Sequence, residues 1–105
     1  MDVRSRLLDI AMNLNRVGNW AADDYNAKQK RIIVFLDQTS KYMKFISQPI
    51  KNSLVDRTFT SFLTEFKTLE KEGKEGPHDE LDWAEKMMTW GNILTHRSSL
   101  LQKNP

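Results

Sequence analysis

The sequence predicts an all-α fold, an antiparallel four-helix bundle, and three observations predict it. Only four glycines and three prolines punctuate 105 residues, so uninterrupted segments are long, which suits helices better than a sheet with many turns. Apolar residues recur three and four positions apart over most of the chain, the spacing that gathers them on one helix face. The five-residue run Ile32-Ile33-Val34-Phe35-Leu36 points apolar side chains in every direction around a helix, and a surface helix needs only one such stripe. That run predicts a helix enclosed from more than one side, either central in a bundle or shared with a second chain.

The first helix is expected over about 3–17, with Asp2 as its N-cap and Leu7, Ile10, Ala11, Leu14 and Val17 on one face. Gly18 suits the left-handed position past a helix end, and Asn19 suits the N-cap of the next, expected over about 19–47. An alternative runs straight through: the apolar beat resumes in phase beyond Trp20, and a mid-helix glycine costs only ~1 kcal/mol. The chain would then form three helices with one very long N-terminal helix, too long for its own remainder to cover, and hence a dimer.

Pro49 ends the second helix by restraining Gln48. Ser53 and Asp56 have the form of a capping box that opens a third helix over about 53–72, with Leu54, Val55, Phe59, Phe62, Leu63, Phe66 and Leu69 on one stripe. The charged, glycine-bearing segment from Glu70 to Pro77 reads as a short linker between antiparallel neighbours. A fourth helix follows over about 78–101, with Asp79, Glu80 and Asp82 at its positive end. All of this fits one domain, 1–105, and a chain of this length has one modest core.

Composition narrows the function classes. Zero cysteines exclude disulfides, thiolate nucleophiles and cysteine-held zinc. No stretch nears the ~20 apolar residues of a membrane-spanning helix, and no signal-peptide core follows Met1, so a cytoplasmic protein without membrane contact is expected. Net charge is +2, short of the basic stripe of a dedicated nucleic-acid binder. No phosphate-binding loop, dinucleotide fingerprint, nucleophile elbow or His-Glu-x-x-His pair is present. His78 and Asp82 stand one helical turn apart, yet acids at a helix N-terminus need no metal to explain them. No cofactor, no metal and no catalytic residue is expected.

Two surfaces remain as candidates. Phe35, Trp83, Met87, Trp90 and Leu94 exceed what a small core needs, and aromatic and methionine side chains are enriched at protein interfaces. They predict a non-enzymatic protein–protein interaction module that pairs with itself as a homodimer and binds another protein. Gly91 would let a partner's backbone come close there. Lys28, Lys30, Arg31, Lys41, Lys44 and Arg57, interleaved with aromatics, offer the alternative of a helical RNA- or DNA-binding accessory subunit. A hydrolase or nuclease centred on His96 and Arg97 ranks third.

Overall fold

The computed structural model describes residues 2–101. They form three helices, α1 (Val3–Lys44), α2 (Ser53–Glu75) and α3 (Glu80–Ser98). The expected four-helix bundle is therefore corrected to three helices with a long first one. Gly18 and Asn19, taken for a boundary, lie inside α1. Gly18 is glycine for a different reason: a Cβ there would run into Met88 Cγ and stand 3.0 Å from the Ala84 carbonyl oxygen of α3. It serves close helix packing, not a helix end.

The length of α1 raises the question of what covers it. A straight helix of 42 residues would reach ~63 Å, but the longest dimension of the molecule is 42 Å. The backbone leaves helical geometry at Asp24 (φ −161°, ψ 90°), and α1 doubles back there. The Asp24 carboxylate accepts from the Ala27 amide at 3.1 Å, capping the returning arm as an N-cap residue does. Four pairs hold residues 3–23 against 25–45: Arg6 with Phe45, Asn13 with Gln38, Arg16 with Phe35, and Trp20 with Arg31. The residue numbers of each pair add to 51, so the arms run antiparallel in one register. The three-helix alternative matches the element count, but its dimer rested on a straight helix. A doubled α1 buries its inner face against its own chain.

The register has a polar pin. Asn13, only 2% exposed, donates to Gln38 Oε1 at 3.0 Å and to Thr39 Oγ1 at 3.3 Å. A buried amide left unpaired costs ~1–3 kcal/mol, so sliding the arms past each other is penalised beyond the loss of packing.

The caps of α2 and α3 explain where they start. Asn52, one residue before the expected cap, accepts from the amides of Leu54 and Val55. Asp56 reaches back past it to the Ile50 amide at 2.9 Å. Asp79 accepts from the Asp82 amide at 3.0 Å, so His78 precedes α3 and the one-turn spacing of His78 and Asp82 does not exist as a helical pair. The expected helix end near 101 comes at Ser98.

The doubled α1 makes one layer; α2 and α3 make the other. The first arm packs on α3, where Gly91 faces Asn15, so the close approach expected of a partner comes from the chain's own α1. The second arm packs on α2, through Ser40 to Glu70 at 2.8 Å and Lys74 to Asp37 at 2.5 Å. Leu7, Ile10, Leu14, Ile32, Leu36, Phe62, Phe66, Trp83 and Met87 fill the space between, all buried, each contributing ~1.5–3 kcal/mol on leaving water. The apolar run 32–36 is enclosed on one side only: Ile32 and Leu36 are fully buried, whereas Val34 is 61% exposed. Among the described residues no helix is long and apolar enough to cross a membrane.

Candidate interaction surface

The five expected interface residues divide. Trp83 is 2% exposed, with Met87 and Leu94 buried beside it. The Trp83 indole donates to the Leu69 carbonyl at 2.9 Å, and its ring lies where a Cβ on Gly73 would be. These three side chains fill the interior of the protomer itself. Phe35 and Trp90 are half-buried and sit at the two outer seams of the molecule.

The seam between the two arms of α1 is lined by guanidinium groups and aromatic rings. Arg31 lies 5.1 Å from the Trp20 ring, and Trp20 meets Phe35 edge-on at 5.0 Å. Arg16 lies 5.8 Å from Phe35, while Arg6 lies 4.7 Å from Tyr42 and 4.5 Å from Phe45. Each such contact contributes ~0.5–1 kcal/mol at an exposed site. Arg6 also approaches Asp9 at 3.7 Å, but Arg16 and Arg31 make no ion pair among the described residues.

Beside this seam, Lys30, Val34, Lys41 and Phe45 share one stripe of the second arm, at positions i, i+4, i+11 and i+15. Phe45 is 69% exposed. Val34 and Phe45 bracket a shallow depression of about 470 Å³ with Asp37, Gln38, Lys41 and Tyr42. The carboxylate of Asp37 is already engaged by Lys74, whose ammonium it raises above the ordinary lysine value, chiefly by hydrogen bonding.

The remaining basic residues named from sequence do not converge. Lys28 is paired with Asp23, whose carboxyl is held below its usual range first by that hydrogen bond. Lys44 is exposed in the last turn of α1, and Arg57 stands on the exposed side of α2. His96 and Arg97 are taken up in tethering: the Arg97 guanidinium meets His96 Nδ1 at 2.6 Å and donates to Thr58 Oγ1 at 3.1 Å, tying α3 to α2.

The seam between α2 and α3 lies on the far side of the molecule and has the opposite character. A shallow groove of about 340 Å³ has Trp90 and Ile93 as its apolar floor and Glu65, Asp82, Glu85, Lys86 and Thr89 around it. Trp90 leans on Phe62, with ring centroids 5.4 Å apart. Lys86 pairs with Asp82 at 3.1 Å, and that hydrogen bond raises its ammonium above the ordinary value. Glu65 and Glu85 have no cationic partner among the described residues.

The layers carry opposite charge as a whole. Residues 2–52 hold nine lysines and arginines against five acids, and residues 53–101 hold six against nine. Sequence reasoning placed Arg6 and Arg16 on the outer side of the first helix and Phe45 among the basic residues, but it missed Val34 as a surface residue and it missed the acidic groove. The signal for the first was the spacing of Val34 and Phe45 with Lys30 and Lys41; for the second, the spacing Asp82, Glu85, Lys86, Thr89 along α3. Set against known protein families, curated proteins and solved structures, the chain matches none.

Proposed function

We propose that this chain is a non-enzymatic protein-interaction module that binds a protein through the outer stripe of α1. One observation carries this: Val34 and Phe45, 61% and 69% exposed, stand on a single helical stripe between Lys30 and Lys41. Single exposed apolar residues are ordinary, but large ones aligned beside a row of half-buried aromatics mark a surface meant to be covered. The self-association expected from sequence remains part of this proposal, moved from Trp83, Met87 and Leu94 to residues that reach the surface. So does the cytoplasmic location: a fold without cysteine asks nothing of an oxidising compartment.

The test is a benzophenone side chain introduced at Phe45 and activated by light in the native cell. The expected product is a protein adduct that fails to form when the benzophenone is placed at buried Phe62. Adducts to nucleic acid, or none from position 45, would overturn the proposal.

A second reading, an RNA- or DNA-binding accessory role, is favoured by Arg16 and Arg31, whose guanidinium groups lie over aromatic rings and pair with no carboxylate among the described residues. It predicts that a single-stranded RNA is retained in low salt and released steeply as salt rises, and that Arg16→Glu with Arg31→Glu removes the retention.

A further inference from the structure

We infer that the protein bound by the α1 stripe is a second copy of this chain, seated head to tail: Val34 and Phe45 of one copy enter the α2–α3 groove of the next. This rests on the protein-binding proposal above and gives it a partner. Three observations carry it.

The first is charge. The stripe presents Lys30 and Lys41, and its one acid, Asp37, is neutralised by Lys74. The groove presents Glu65 and Glu85 without a cationic partner among the described residues, and its one base, Lys86, is neutralised by Asp82. Each surface keeps the sign that the other lacks.

The second is apolar fit. The stripe offers two projecting side chains, and the groove offers Trp90 and Ile93 as a floor to receive them. This is the helix-in-groove mode, in which spaced anchors from one helix enter a cleft between two others. The third is length. Val34 to Phe45 and Asp82 to Ile93 are the same number of residues, ~16 Å along a helix in each case.

The two surfaces lie on opposite layers of the fold, so the contact is heterologous. Docking one copy leaves a free stripe at one end and a free groove at the other, and assembly is open-ended unless the rotation closes a ring. Charge steers the encounter, so screening weakens it.

Sedimentation of the full chain tests this with two charge-reversed variants, Lys30→Glu with Lys41→Glu and Glu65→Lys with Glu85→Lys. All four positions are exposed, and circular dichroism melts establish that each variant folds. The wild-type chain is expected to associate with rising concentration, and more than tenfold less strongly when salt rises from about 0.1 M to about 1 M, where the screening length falls from ~10 to ~3 Å. Each variant alone is expected to remain monomeric, and an equimolar mixture to associate again, because stripe and groove regain opposite signs. A mixture that stays monomeric, or variants that associate as the wild type does, would overturn the head-to-tail contact. A wild-type chain that is monomeric throughout, while position 45 still yields protein adducts in the cell, overturns the second copy as partner and leaves protein binding intact. Absence of both removes both.

Discussion

The Tyr25 hydroxyl donates a buried hydrogen bond to the Gly73 carbonyl at 2.5 Å. In a continuing helix that carbonyl would accept from the amide four residues on, but position 77 is proline and has no N–H. Tyr25 supplies the missing donor from α1. Its ring also meets the edge of Trp83 at 6.5 Å, and Trp83 bonds to the Leu69 carbonyl, one turn before Gly73. All three helices are joined at this point. Tyr25→Phe keeps the ring and leaves the carbonyl unsatisfied, so a loss of ~1–3 kcal/mol is expected in urea unfolding. Unchanged stability would mean that the carbonyl finds another donor.

The same residue gives a pH prediction. Burial pushes the Tyr25 phenol above its ordinary value of 10.0. Hydrogen bonding to Asp37 raises the Lys74 ammonium above 10.5. In both cases the folded state holds the proton more tightly than the unfolded chain. Their stabilising contributions are therefore complete below about pH 10 and are lost as pH climbs through the folded values. The urea midpoint should fall from about pH 9 to about pH 11, and Tyr25→Phe should shallow that fall. A midpoint that rises over this interval would contradict the sign.

Gly18 sets how closely α1 approaches α3. Helix propensity alone favours any residue but proline over glycine there, by up to ~1 kcal/mol. The contacts with Met88 and the Ala84 carbonyl reverse the preference, because Met88 can swing aside and a backbone oxygen cannot. Gly18→Val is expected to lower stability by ~1–3 kcal/mol through overpacking, read as a fall in melting temperature. A rise would show that the helices separate at no cost.

Arg6 closes the open end of the α1 hairpin, lying over both Tyr42 and Phe45. Arg6→Ala is expected to cost at least ~1 kcal/mol, the sum of two cation–π contacts at their lower value, because the Arg6 side chain is only 15% exposed. Amide exchange should quicken in the last turn of α1 and remain unchanged around Trp83. Equal quickening at both places would mean that Arg6 supports the whole fold and not this end of it.

The helical class, the approximate positions of the two linkers that flank α2 and most core residues were legible because they depend on periodicity and on Pro49, Gly76 and Pro77. Leu7, Ile10 and Leu14, or Phe59, Phe62 and Phe66, can face only one way once their helices form. The fold-back was misplaced because glycine has two uses. Gly18-Asn19 has the composition of a helix end, whereas the actual break uses Asp24 as a cap with no glycine or proline beside it. The surface was read less well still. Periodicity places Trp83, Met87 and Leu94 on one stripe but does not say whether that stripe meets its own chain or another. With α1 doubled, the core takes those three and leaves Val34 and Phe45 outside. The acidic groove exists only when α2 and α3 are side by side, and so it has no signature in either helix alone.

Every surface described depends on α1 turning back at Asp24, and one distance tests that directly. Spin labels at Val3 and Lys44, the two ends of α1, should lie within ~25 Å of each other by pulsed dipolar spectroscopy in dilute solution, since Arg6 reaches the ring of Phe45. A separation near ~60 Å, the length of a straight helix spanning these residues, would contradict the account.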